Sequence, residues 1–167
     1  MHHGIFKLTN GDEYHGKFDP ETQEFTDYSE MKYRNGNRYQ GEFKQGKIEG
    51  QGVLRYRNGD KFTGRFENGH PKEGEMLYMD MNERYTGELA PDGMQEGQGM
   101  YQFFNGEIYH GAWLDGLMHG NGLYSYTDGS EFFGIFLEGI KQHGKLKYAN
   151  GELYIGSFKD GLKCNGY

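Results

Sequence analysis

The sequence predicts an all-β protein: an elongated single-layer array of about seven antiparallel β-hairpins, laid out as a twisted open sheet. Three observations predict it. First, a strand opener of the form Tyr/Phe-x-Gly-x-aromatic/Leu begins at Tyr14, Tyr39, Phe62, Tyr85, Tyr109, Phe132 and Tyr154, with successive starts 25, 23, 23, 24, 23 and 22 residues apart. A fixed period of this length is the signature of a repeat array. Second, a closing pair recurs at Asn10-Gly11, Asn35-Gly36, Asn58-Gly59, Asn105-Gly106, Asp128-Gly129 and Asn150-Gly151. Such pairs are expected to supply the positive φ angles of tight hairpin turns. Third, glycine makes up 29 of 167 residues and proline only 3. Average glycine usage is about 7%, so the excess belongs to turns and close strand packing rather than to a disordered chain.

Each copy reads the same way in order. The stretch from Tyr109 alternates as Tyr109, Gly111, Trp113, passes a loop with Gly116, alternates again as Gly120, Gly122, Tyr124, Tyr126, and closes at Asp128-Gly129. Two period-2 runs around a glycine turn make a hairpin. A partial repeat covers residues 4–13, where Gly4 to Gly11 matches Gly144 to Gly151. Full repeats start at residues 14, 39, 62, 85, 109 and 132, and residues 154–167 form a last partial repeat, so 1–167 reads as a single array. The first full copy has an acidic connector, Asp19 to Glu30, where the loop glycines belong. An incomplete hairpin at each end leaves a strand edge to be paired. A longer array, a covering chain or end-to-end self-association is the expectation. No window sustains a 3.6-residue apolar period, so no helix is expected.

These residues carry a resemblance. The copies YQGEFKQGKIEGQGVLRYRNGDK and YHGAWLDGLMHGNGLYSYTDGSE follow the pattern Y-x-G-x-F-x-x-G-x-x-x-G-x-G-x-x-x-x-x-x-G. That pattern resembles the MORN (membrane occupation and recognition nexus) repeat, over essentially the whole chain from Gly4 to Gly166. Three copies depart from it. The copy from Tyr14 lacks the loop glycines, the copy from Phe62 ends in Met81-Asn82 instead of a glycine turn, and the copy from Tyr85 has an extra residue in APDGMQEG. The resemblance implies a non-enzymatic scaffold in a cytoskeletal, ciliary or membrane-junction setting.

Composition narrows the partners. Net charge is −7, which argues against nucleic acid, whose recognition needs a basic stripe. Anionic lipid also attracts Lys and Arg clusters, so the acidic balance disfavours a phosphoinositide-binding membrane adaptor and leaves it the second reading. The densest basic set is Lys32, Arg34, Arg55 and Arg57, expected to share one strand face as a solvated surface. The one cysteine, Cys164, excludes an internal disulfide and fits a reducing compartment. No signal peptide and no apolar run near the ~20 residues of a membrane span are present. A cytoplasmic location, cytoskeletal or ciliary, is expected.

No residues converge for chemistry. The seven histidines sit at unrelated repeat positions without metal spacing, and the glycine-rich pieces lack the Lys-Ser/Thr ending of a phosphate loop. Neither a catalytic set nor a cofactor nor a metal site is expected. The targeting module of a larger enzyme is a further alternative.

The two sheet faces carry the rest, because strand side chains alternate. One face is uniform among copies and is expected to be the core: Tyr39, Phe43, Tyr56, Tyr109, Trp113, Tyr124, Tyr126, Phe132, Phe136 and Tyr148. The opposite face varies, and towards the C-terminus it turns apolar: Met100, Phe104, Ala112, Leu114, Leu123, Phe133, Ile135, Leu137 and Ile155. A contiguous apolar patch usually marks an interaction site, so this set is the expected partner-binding surface.

Overall fold

The computed structural model describes residues 2–22, 24–159 and 161–167, and every regular element among them is a β-strand. The chain divides into two units, Met1–Met81 with Pro91–Gly93, and Asn82–Ala90 with Met94–Tyr167. The first holds β1 (His2–Lys7), β2 (Glu13–Asp19), β3 (Glu24–Lys32), β4 (Arg38–Lys44), β5 (Lys47–Arg55), β6 (Lys61–Glu67) and β7 (His70–Tyr78). The second holds β8 (Glu83–Leu89), β9 (Gln95–Gln102), β10 (Ile108–Leu114), β11 (Leu117–Ser125), β12 (Glu131–Leu137), β13 (Ile140–Lys147), β14 (Leu153–Lys159) and β15 (Leu162–Gly166). Within each unit every strand pairs antiparallel with the next in the chain, as an open meander.

Two kinds of turn alternate, and the sequence reading had one of them in the wrong form. Two-residue turns with both φ angles positive occur at Gln45-Gly46 (50° and 73°), Asn68-Gly69 (51° and 88°), Asp115-Gly116 (50° and 77°) and Glu138-Gly139 (48° and 81°). This is the mirror-image turn whose twist matches flanking strands. The closing Asn-Gly and Asp-Gly pairs are different: only their glycine has positive φ. At the first of them Gly11 N–H donates to Leu8 O (3.0 Å) and Leu8 N–H to Asp12 O (2.8 Å). The asparagine contributes through its side chain, Asn10 Oδ1 accepting from Asp12 N–H at 3.0 Å, as Asx turns do.

The acidic connector also differs from expectation. Glu24 to Glu30 belongs to β3, which pairs with β2 through a wide register break opposite Gly16. Ser29 is buried there and its hydroxyl is hydrogen-bonded with that of Tyr14 at 2.7 Å, so a hydroxyl occupies the place that a glycine fills in other copies.

Successive copies are joined by backbone hydrogen bonds from turn glycines. Gly69 N–H donates to Ile48 O (3.0 Å), Gly116 N–H to Gln95 O (3.0 Å) and Gly139 N–H to Met118 O (2.9 Å). At the other edge, the residue after the closing glycine accepts from the following copy in four places. Asp12 Oδ1 takes Arg34 N–H (2.7 Å), Asn37 Oδ1 takes Arg57 N–H (3.0 Å), Asp60 Oδ1 takes Met79 N–H (2.9 Å) and Ser130 Oγ takes Ala149 N–H (3.2 Å). Within each unit these bonds tie a repeat to the next one, the nearest-neighbour rule of a repeat array.

Candidate functional site: two faces of an open sheet

On the ring face, glycines stand opposite each other in register: Gly41 with Gly52, Gly64 with Gly74, Gly87 with Gly99, Gly111 with Gly122 and Gly134 with Gly144. The opener's ring lies flat over each pair. A Cβ at Gly52 would come within 2.5 Å of the Tyr39 ring, and one at Gly122 within 2.4 Å of the Tyr109 ring. The rings then meet edge-to-face along the array. Tyr109 packs on Trp113 of its own strand (5.1 Å between centroids, 86°) and on Phe136 of the next copy (4.9 Å, 77°). Tyr39 does the same with Phe43 and Phe66, and Phe132 with Phe136 and Phe158. Aromatic pairs favour such T-shaped contacts. Trp113 also donates from its indole N–H to Gly99 O at 3.2 Å.

Five openers are tyrosines, and each hydroxyl donates to the carbonyl three residues on. The acceptors are Lys17 O (2.8 Å), Glu42 O (3.0 Å), Glu88 O (2.7 Å), Ala112 O (2.8 Å) and Ser157 O (2.8 Å). In two of these copies the accepting residue lies in a bulge. In the copies from Tyr39 and Tyr109 the register jumps between Gly41 and Phe43 and between Gly111 and Trp113, so Glu42 has no ladder partner in β5 and Ala112 none in β11, although each is paired on its other side with Tyr28 and Gln98. The hydroxyl satisfies their carbonyls. In the copies opened by Phe62, Phe132 and Tyr154 the break is narrower, passing over only Lys72, Gln142 or Cys164, and of those three openers only Tyr154 has a hydroxyl. Tyr109→Phe should therefore cost about 1 kcal/mol, the net worth of one hydrogen bond, read from the urea midpoint.

Burial pushes the Tyr33 hydroxyl up to about 12, aided by Asp12, and the Tyr109 hydroxyl likewise to about 12. Tyr39 and Tyr124 are raised further by burial. A folded-state value above the ordinary ~10 of tyrosine means that stability is fully present below pH ~10 and falls as pH rises towards 12. An alkaline titration followed by circular dichroism should show unfolding in that window, and a flat profile through it would contradict the buried tyrosine ladder.

The expected core residues fall into two groups. Tyr39, Phe43, Tyr109, Trp113, Phe132 and Phe136 are buried, whereas Tyr56, Tyr124, Tyr126 and Tyr148 are half-buried on the same face. The half-buried tyrosines stand towards the closing turns. Tyr124 and Tyr126 receive a cover that the sequence reading missed. Lys141 Nζ lies 4.5 Å from the Tyr126 ring centre and 5.2 Å from that of Tyr124. Burial lowers its pKa, opposed by Glu107, whose carboxylate accepts from the Tyr124 hydroxyl at 2.7 Å. Lys163 repeats the arrangement over Tyr148 and Tyr154, 5.2 Å from each. The signal was a lysine at the ring-face position that is Ile48 or Met118 in other copies.

On the opposite, open face the second unit is apolar and accessible. Phe133 is 60% exposed, Ile135 48% and Leu137 47%, with Met100, Leu114 and the turn residue Phe104 also exposed. Ala112, Leu123 and Ile155 are half-buried among them. The pairing brings several of these together: Leu123 is opposite Phe133, and Phe133 opposite Lys145, which is opposite Ile155. Leu114 and Leu137 have partners that the period-2 reading overlooked, because a two-residue turn places its flanking residues side by side. Leu114 pairs with Leu117 and Leu137 with Ile140, both exposed. In the first unit the same turn flanks are Lys44 with Lys47 and Glu67 with His70.

The basic set of the first unit does not form one face. Arg34 and Arg57 lie in turns, their stems packed over Gly11 and Gly36 of the preceding copy, and Lys32 Nζ is 3.9 Å from Glu30. A shallow depression of about 560 Å³ between Asp27, Glu42, Phe43, Lys44, Glu49 and Arg65 brings together no nucleophile with a base. Among the described residues no group of three His, Cys, Asp or Glu side chains is placed to hold a metal ion.

Geometry of this kind defines a repeat protein with one sheet face packed by rings and the other open. Four segments of the chain, residues 39–61, 92–108, 109–131 and 154–165, match the model of the MORN repeat, and together they span just under half of it. The chain carries MORN repeats, as the pattern indicated. No curated protein matches it. Among solved structures, the chain is similar to the SAS-4 (dCPAP) TCP domain of Drosophila melanogaster, in complex with a proline-rich motif of Ana2 (dSTIL). That match has a TM-score of 0.53 at 13% identity and covers 92% of this chain and 89% of the other. The TCP10 domain of Danio rerio CPAP, in complex with a peptide of Danio rerio STIL, matches at a TM-score of 0.37 and 14% identity, covering 98% and 77%. At such identity the first likeness is one of fold.

Proposed function

We propose that this chain is a protein-interaction scaffold without catalytic activity, acting within a ciliary or other cytoskeletal assembly. The observation that carries the reading is the accessible apolar strand face Phe133, Ile135, Leu137 on a sheet whose own core lies on the other side. Patches of this kind mark interaction sites, and a repeat sheet offers them on a rigid frame. The TCP domain with the similar fold is a complex with a proline-rich motif of another protein, which supports a polypeptide as the class of partner. Cross-linking mass spectrometry in native extract tests the reading. Wild-type protein should link to defined cytoskeletal or ciliary proteins, and Ile135→Lys protein should lose those links because it would bury a charge in an apolar contact.

A membrane adaptor is the second reading, favoured by the repeat family. The dispersed arginines argue against it, since Arg34 and Arg57 pack over turn glycines instead of clustering. Binding to phosphoinositide liposomes should be weak at low salt and vanish at physiological ionic strength. Co-sedimentation that survives that salt and is lost when Arg34, Arg55 and Arg57 are changed to Glu would favour the adaptor instead.

A further inference from the structure

We propose that the open face of β9–β14 docks a protein segment in which large apolar side chains alternate with carboxylates; the proposal rests on the scaffold reading and specifies the partner. The pairing aligns one row across six strands: Met100, His110, Leu123, Phe133, Lys145 and Ile155. With strands about 4.8 Å apart, the row is about 24 Å long. Polar groups interrupt its apolar members at His110 and Lys145, and a second row places His143 beside Ile135.

Charge distribution gives the sign of the partner. Residues 82–131 contain one Arg and no Lys against eight acidic residues, whereas residues 132–167 contain five lysines against three. The cationic end of an acidic protein therefore carries the C-terminal half of its apolar face, from Phe133 to Ile155. On the open face of β10–β14 the alternation leaves a single carboxylate, Glu131, opposite Lys147. Among the described residues, Lys145 and Lys147 have no carboxylate within salt-bridge distance. In the first unit, by contrast, Lys17 is paired with Asp27 at 2.9 Å and Lys7 with Glu13 at 3.6 Å. Cations left unpaired among apolar side chains match an acidic, apolar segment. They repel a basic one, since like charges across an interface select against wrong partners.

The test is selection of a random peptide library displayed on phage against the immobilised full chain, with Ile135→Lys protein as the subtracting surface. Enriched sequences should combine apolar residues with Asp or Glu. A synthetic peptide of the enriched sequence should bind about tenfold more weakly to Lys145→Glu protein, the scale of one close charge pair, and progressively more weakly with salt. Both variants should keep the wild-type melting curve. Enrichment of basic or uncharged sequences overturns the inference, and so does equal capture by Ile135→Lys protein. In those outcomes the scaffold reading stands if the cross-links to cellular proteins persist. A dimer in analytical ultracentrifugation that Ile135→Lys abolishes would assign the face to a second copy of this chain and overturn the inference as well. No enrichment together with no cross-linked protein overturns both.

Discussion

Gly122→Ala should lower stability by about 3 kcal/mol or more, although it adds one methyl group to a residue without positive φ. The added Cβ would stand 2.4 Å from Tyr109 Cε2 and 2.5 Å from its hydroxyl, closer than any real carbon contact. The ring cannot swing aside, because Trp113 and Phe136 hold its edges at 5.1 and 4.9 Å between centroids. Inserting a methyl into a well-packed core typically costs about 1–3 kcal/mol, and here the displaced ring also loses its hydrogen bond to Ala112 O. Gly46→Ala is the informative control. Gly46 has φ +73° but nothing within 4 Å of its would-be Cβ, so only backbone strain of about 1–2 kcal/mol applies. Urea midpoints of the two variants, at unchanged m, separate contact from conformation. If Gly46→Ala proves the more damaging, the glycines serve the turns more than the rings.

Trp113→Ala should be as severe, at about 3–5 kcal/mol. The indole is buried against Tyr85, Tyr101 and Tyr109 and its N–H is bonded to Gly99 O, so truncation opens a cavity and orphans a carbonyl. A domain holds only about 5–15 kcal/mol in total, and melting of the second unit should move to much lower temperature. Ile135→Lys, two strands away but on the open face, should leave the melting curve within about 0.5 kcal/mol of wild type. Its side chain is already 48% exposed, and its cross-strand neighbours are Asn121 and His143. The pair is read by thermal unfolding monitored by circular dichroism. Unfolding by Ile135→Lys with tolerance of Trp113→Ala would show that the faces are assigned the wrong way round.

The repeat, the strands and the two faces were legible in the sequence for a simple reason. A period of two assigns every side chain to a face once a strand is recognised, and the openers from Tyr14 to Tyr154 mark each strand. Tyr39 and Phe133 could be placed on opposite sides from parity alone. What parity cannot express is the contact between strands. That Gly111 stands opposite Gly122 under the Tyr109 ring depends on register, which the two-residue turn at Asp115-Gly116 sets. The bulge at Ala112, and the tyrosine hydroxyl that caps it, follow from a break in that register. Leu117 and Ile140 joined the apolar edge, and Lys141 covered Tyr126, through neighbours supplied by another strand. The sequence by itself determined an open antiparallel repeat sheet with an aromatic side and an apolar, variable side. The tertiary structure alone decided which glycine each ring rests on, which carbonyl each hydroxyl satisfies and which cations stay unpaired, because those depend on distances across strands that no single-strand pattern encodes.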